Sequence, residues 1–279
     1  MAYSPPKKSR KTNIQPQKKR HRPTPQKDQL IWGIHPVLEA LKACPNCVKE
    51  IFVEKHKKGL RLKELLEMAQ QNSIPVAISK PAIDGTHKKY PATLDQQSSQ
   101  GLSARIALPT LSLEELMGKL KNISNPPLLL ALDSIQDPHN LGAIIRSAVA
   151  AGVNGLILPK DRSASIAGTV IKVSAGAVFH LDICRVTNLV NSFKKLKKEG
   201  IWIFGTAKDS SQAVYETDLT VPACLVIGSE GKGLRPLVAE HCDMYISIPM
   251  QGSLDSLNAS VAAGIILFET VRQRKAQQK

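Results

Sequence analysis

Three short stretches of this chain gather residue types that can orient a hydroxyl, accept a proton or grip an oxyanion. The first is Asp137-Pro-His-Asn-Leu-Gly142, with Arg146 six residues beyond Asn140. The second is Gly228-Ser-Glu-Gly-Lys-Gly233, which sets Glu230 among three glycines. The third is Ser253-Leu-Asp-Ser-Leu-Asn258. An Asn amide donates and accepts, a Glu carboxylate accepts from a hydroxyl or positions an arginine, and a guanidinium suits a phosphate. Each stretch also has a plain structural meaning. Asn140 is expected to cap a helix that carries Arg146 on its surface, Glu230 to ride on a tight turn, and the residues around Asn258 to cap another helix. In all three an apolar run passes through a turn into a helical pattern, so unpaired backbone N–H groups would line the mouth of a site.

The elements that must position these residues follow from periodicity. From Leu128 onward, continuous apolar runs at 128–133, 155–159, 177–183, 201–206, 223–228 and 244–249 read as strands buried on both faces. Helical patterns at 140–151, 165–175, 188–199 and 234–241 connect them, and a last helix spans about 256 to 273. The alternation predicts a parallel α/β domain with helices on both faces, whose ligands bind beyond the carboxyl ends of the strands. The common nucleotide signatures are missing. Gly231-Lys-Gly233 runs on into Leu234-Arg235-Pro236, which lacks the third glycine of a dinucleotide fingerprint. Lys232 is followed by Gly233 where a Walker A sequence has Ser or Thr. A nucleotide-dependent oxidoreductase is disfavoured on that ground.

Upstream, residues 30–41 start a small α/β unit, with Pro36 at a first helical position and Val37, Leu38 and Leu41 at helical spacing. Strands are expected at 50–54, 75–79 and 102–108, an amphipathic helix at 60–71, and a loop over 84–101. Pro109, a short helix at 112–120 and Asn125-Pro-Pro127 read as a connector. The divisions are then a basic tail at 1–28, a small domain at 29–106, a linker at 107–127 and the parallel domain at 128–279.

The chain of 279 residues has a net charge of +15. Nine Lys and Arg against one acid in residues 1–28 make a Pro/Lys/Gln-rich arm unable to bury a core. Such an arm on a basic body favours a polyanionic partner over a merely solubilising role. No apolar run approaches the roughly 20 residues of a membrane span, and no secretory h-region opens the chain. Five cysteines at 44, 47, 184, 224 and 242 predict reduced thiols in a cytosolic setting, with Cys44-Pro-Asn-Cys47 as a helix-terminal turn. No zinc ligand set is evident, and no metal is expected.

Taken in order, the three junctions resemble the signature motifs of the SpoU/TrmH family of RNA ribose 2′-O-methyltransferases. The resemblance covers about residues 128–274 and is nearest to the bacterial large-subunit rRNA guanosine type. Gly33-Ile-His-Pro-Val37-Leu-Glu-Ala40 resembles the opening of that type's N-terminal RNA-binding domain. Many members carry His-Gln-Gly before that domain's last strand; this chain has Ser99-Gln-Gly101. The resemblance implies S-adenosylmethionine as cofactor, held at Thr206, Gly228, Ile248 and Leu257. It implies Asn140, Arg146, Glu230 and Asn258 as the polar catalytic positions, and a trefoil-knotted, dimeric C-terminal domain. It implies a cytoplasmic enzyme acting on RNA, 23S rRNA first and transfer RNA second. A non-catalytic RNA-binding or ribosome-assembly protein is the alternative from another class.

Overall fold

A computed structural model describes residues 28–55, 58–79, 101–253 and 256–277. The basic arm, Ser99 and Gln100, and most of the loop expected at 84–101 lie outside the described residues.

The first half builds a four-stranded sheet in the order β1-β4-β2-β3. Its strands are β1 (Gln29–Trp32), β2 (Val48–Glu54), β3 (Val76–Ser79) and β4 (Leu102–Ile106). β4 runs antiparallel to β1 and β2, and β2 is parallel to β3. Helix α1 (Ile34–Ala43) buries Val37, Leu38 and Leu41. Helix α2 (Leu60–Gln71) buries Leu62, Leu65 and Ala69, the face that the helical period predicts. The cysteine expectation is corrected here. Pro45–Cys47 forms a 3₁₀ turn that brings the Cα atoms of Cys44 and Cys47 to 5.3 Å, and the pair is disulfide-bonded. That separation is within disulfide range. The other three cysteines are free.

Helix α3 (Leu113–Leu120) follows, opened by a capping box between Ser112 and Glu115. It is no loose tether. Leu116 is fully buried, and Leu111 N donates to Ile183 O at 2.8 Å.

The second half is a six-stranded, all-parallel sheet in the order β10-β8-β9-β5-β6-β7. The strands are β5 (Leu128–Leu132), β6 (Gly155–Pro159), β7 (Ile183–Val186), β8 (Trp202–Thr206), β9 (Ala223–Ile227) and β10 (Met244–Ile246). Every residue of β5, β6 and β9 is buried, because α4 (Pro138–Ala150), α5 (Gly168–Val173), α6 (Leu189–Lys198), α7 (Pro236–Ala239) and α8 (Ala259–Gln277) cover both faces.

One strand expectation is overturned. Residues 177–180 form a 3₁₀ turn, and the strand begins at Ile183. Gly176, at φ +83°, ends α5's descent in a left-handed turn, and Val178 and Phe179 are buried as turn residues. A short apolar run does not distinguish such a turn from a strand.

From β5 the chain winds outward through β6 to β7, then returns to fill the other side with β8, β9 and β10. The winding direction switches between β5 and β9, so a crevice opens beyond their carboxyl ends.

Candidate active site

The switch point is where the three polar junctions meet. α4 follows β5, the Gly228–Gly233 turn follows β9, and α8 begins just past the segment after β10. The cap of α4 corrects the sequence expectation. Asp137, not Asn140, is the N-cap, accepting from His139 N at 3.0 Å and Asn140 N at 3.3 Å. Pro138 takes the first helical position, so the cap falls three residues upstream of Asn140. The Asn140 side chain is thereby released for another bond. Its Nδ2 donates to Glu230 Oε1 at 2.9 Å.

Asn258 completes the cluster. Its Nδ2 donates to Asn140 Oδ1 at 2.9 Å and also to Glu230 Oε1. Its Oδ1 caps α8, accepting from Ser260 N at 2.9 Å and Val261 N at 3.4 Å. Ala259 N donates to Glu230 Oε1 at 3.2 Å. One carboxylate oxygen of the second junction therefore gathers an amide from the first and an amide and a helix-start N–H from the third. Among the described residues Oε2 of Glu230 accepts no hydrogen bond, and Glu230 itself is exposed. A ligand hydroxyl can occupy that oxygen. Arg146 stands exposed on α4, with no ion pair among the described residues. It is not drawn into the Asn140–Glu230–Asn258 cluster.

Beside the cluster lies a cavity of about 420 Å³, within the size range of small-molecule sites. Thr206, Gly228, Ile248 and Leu257 all line it, together with Glu230, Ile227, Ile246 and Ile266. Its walls are strand-end backbone and aliphatic side chains, with the carboxylates of Glu230 and Asp209 and the ammonium groups of Lys208 and Lys232 also lining it. That donor set fits S-adenosylmethionine: an apolar slot with backbone N–H and C=O groups for an adenine, carboxylates for a sulfonium and an ammonium, and lysines for a carboxylate. Gly228 is required by packing, because a Cβ there would collide with the Gly233 backbone. Ser229 and Gly233 exchange backbone bonds at 3.1 and 2.9 Å and close the turn that carries Glu230. Gly231 and Gly233 take positive φ, 75° and 63°, which glycine adopts without a Cβ penalty.

The sequence reading passed over the residue that holds this loop. Asp133 is fully buried at the end of β5. Its N–H donates to Ile227 O at 2.8 Å, where the loop begins. Its carboxylate accepts from Arg235 N at 2.8 Å and Arg235 Nε at 2.7 Å, where the loop ends. One residue, through its backbone N–H and its carboxylate, thus clamps both ends of the Glu230 loop. The available signal was an acid closing an otherwise apolar strand, since a buried charge demands a partner.

Thiol chemistry is absent from the site. Burial pushes the Cys184 and Cys242 thiols up to about 12, and that of Cys224 is raised as well. All three stay protonated and unreactive near neutrality. Among the described residues no group of three His, Cys, Asp or Glu side chains could hold a metal ion.

Comparison with known proteins decides the family. Residues 127–268 match the SpoU rRNA Methylase family, and residues 30–83 match the family described as RNA 2′-O ribose methyltransferase substrate binding. The 23S rRNA (guanosine-2′-O-)-methyltransferase RlmB of Pseudomonas putida is 40% identical over 90% of this chain and 98% of its own. This chain belongs to the SpoU methylase family. The RlmB of Escherichia coli is 41% identical over 88% of this chain and 99% of its own. Among solved structures, the SpoU methyltransferase AviRb from Streptomyces viridochromogenes superposes with a TM-score of 0.74 at 27% identity, covering 90% of this chain and 91% of that one. AviRb has also been solved in complex with AdoMet; that structure gives a TM-score of 0.73 at 28% identity and covers 89% of this chain and 91% of its own. The A. aeolicus TrmH/SpoU tRNA modifying enzyme, 32% identical with a TM-score of 0.51, covers 60% of this chain and 86% of its own. As a SpoU methylase the chain is an RNA 2′-O-methyltransferase that uses S-adenosylmethionine.

Proposed function

We propose that this SpoU methylase transfers a methyl group from S-adenosylmethionine to the ribose 2′-oxygen of a guanosine in 23S rRNA. The observation that carries the proposal is the convergence of Asn140, Glu230 and Asn258 on one carboxylate oxygen beside the cavity lined by Thr206, Gly228, Ile248 and Leu257. The choice of ribosomal over transfer RNA is supported by the 23S rRNA relatives, which match this chain across both sheets. The tRNA-modifying neighbour covers only 60% of it.

Bound cofactor supplies an electrophilic methyl on a sulfonium; the protein supplies position and a home for the proton. In this proposal the free Oε2 of Glu230 accepts the hydrogen bond of the 2′-hydroxyl and takes its proton as the carbon–oxygen bond forms. The Asn140 and Asn258 amides hold the other oxygen, so the carboxylate cannot turn away. Arg146 binds an RNA phosphate and stabilises the developing alkoxide. A guanidinium remains a cation rather than a base. Alignment of this kind supplies about 7–11 kcal/mol of barrier reduction in favourable cases.

The division into an RNA-binding domain at 29–106, a connector at 107–127 and a methyltransferase domain at 128–279 belongs to the same proposal. So do the trefoil knot, a cytoplasmic location and a homodimer. Val261 and Phe268 on α8 support the dimer, being about half exposed at 49% and 51%. Light scattering on the purified protein tests it.

The deciding experiment is tritiated methyl transfer to undermodified large-subunit rRNA, with bulk tRNA alongside. Label in rRNA at one alkali-resistant linkage establishes the proposal. Label in tRNA alone keeps the chemistry and removes the rRNA assignment.

A further inference from the structure

The two sheets do not hang on a slack tether. Three glycines of the parallel half each receive a foreign segment at close range. A Cβ on Gly155 would lie 2.6 Å from Leu116 Cδ1 of the connecting helix α3. A Cβ on Gly168, at the start of α5, would lie 2.9 Å from Cζ3 of Trp32 on β1. A Cβ on Gly176 would lie 2.5 Å from Cβ of Glu39 on α1. At such separations a side chain added at these positions forces something to move, least cheaply at Gly176, where Glu39 meets it through Cβ and φ is +83°. Glu39 also meets His180 Nε2 through its Oε2 at 3.0 Å. The cores beneath are continuous: Ile31 and Leu38 of the first half belong to the same buried apolar cluster as Val170, Val178 and Phe179 of the second.

The seat leads toward the catalytic cluster. α5, which receives Trp32, packs on α4 where a Cβ on Gly142 would lie 2.7 Å from Val173 Cβ. Gly142 is two residues from Asn140. Two glycine contacts thus connect the first strand of the RNA-binding half to the helix that presents Asn140.

We propose that Trp32 and Glu39, seated on Gly168, Gly176 and His180, are positioning residues that fix the RNA-binding half at one distance from the Asn140–Glu230–Asn258 cluster and so select which ribose is methylated. This rests on the 2′-O-methyltransferase function proposed above. A flexible tether would let RNA held by the first half present a range of riboses to the site. A packed connector and a glycine seat allow one spacing.

The test uses the full chain with Trp32→Ala, which empties the seat from one side, and Gly168→Val, which fills it from the other. Solution X-ray scattering of the S-adenosylmethionine-loaded protein reports the docking. Cofactor Kd reports the integrity of the cavity. Site-resolved mapping of 2′-O-methyl groups on undermodified 23S rRNA reports the selection. The expected result is a larger radius of gyration, unchanged cofactor Kd, an RNA KM raised roughly tenfold to a hundredfold, and methylation spread to other riboses or lost. Unchanged scattering overturns the docking seat. Changed scattering with unchanged KM and a single methylated position overturns the selecting role. Should Gly168→Val weaken cofactor binding through α5 and α4, Trp32→Ala, outside the parallel half, decides alone. If the unsubstituted chain methylates no RNA, the proposed function fails, while the scattering still judges the seat.

Discussion

Glu230 is where the site's chemistry converges, and its two oxygens have different duties. Oε1 is taken by Asn140, Asn258 and Ala259 N. Oε2 accepts no hydrogen bond among the described residues and is the oxygen proposed to take the 2′-hydroxyl's proton. Glu230→Gln keeps the shape but removes the proton acceptor, so kcat should fall on the order of 100-fold or more while cofactor Kd moves little. A matching loss of cofactor binding would instead make Glu230 part of the cofactor site. Arg146 separates charge from shape. Arg146→Lys should keep measurable turnover and RNA affinity if a phosphate is held by charge, and Arg146→Ala should lose both. Single-turnover kinetics with enzyme in excess over RNA distinguish them. Asn140, Glu230 and Asn258 were all legible as polar residues at junctions. The free rotamer of Asn140 was not, because it depends on Asp137 taking the cap.

At the level of elements, the site stands on a clamp and a close approach. Asp133 fastens both ends of the Glu230 loop. Arg235→Ala leaves that buried carboxylate with the backbone N–H at position 235 and a long bond from Ser134 Oγ at 3.4 Å, which should cost about 1–3 kcal/mol of stability. It should also weaken cofactor binding more than RNA binding, as calorimetry with each ligand would show. Gly142 lets α4 lie against Val173 of α5. Gly142→Val forces the helices apart and should destabilise by about 1–3 kcal/mol, measured by denaturant unfolding. Strands β5, β6 and β9 were plain in the sequence because burial on both faces leaves no polar position to break the run. The turn at 177–180 escaped, since the three apolar residues Ala177, Val178 and Phe179 satisfy a 3₁₀ turn and a strand equally.

Across the whole molecule, the last helix is tied back to the start of the parallel sheet. Arg274 donates to the carbonyls of Pro126, Pro127, Leu219 and Val221 at 2.6 to 3.3 Å. On the same helix Glu269, only 7% exposed, is held by Arg272 and Gln273. The Arg272 hydrogen bonds are the main cause that lowers its pKa below the ordinary carboxylate value. A carboxylate depressed in the folded state contributes stability that is present above its unfolded pKa and is lost as pH falls through the folded value. The stability difference between the native chain and Glu269→Gln should therefore be full at pH 7 and shrink toward zero on acidification below about pH 4. Thermal melts across pH 3–7 check this, and a difference that persists at low pH would show that the carboxylate's charge contributes nothing.

Local order was written in the chain itself. The alternation of apolar runs and helical stripes determined the parallel sheet, and the ordered junctions determined the SpoU resemblance, because both depend on neighbours within about 20 residues. Contacts at long range belonged to the tertiary structure. The bond from Asn140 to Glu230 joins residues 90 apart in sequence, that from Asp133 to Arg235 joins residues 102 apart, and that from Glu39 to His180 joins residues 141 apart. No periodicity encodes such pairs. They arise only when the winding switch between β5 and β9 brings the strand ends together, and when glycines at 168 and 176 leave room for another segment to settle.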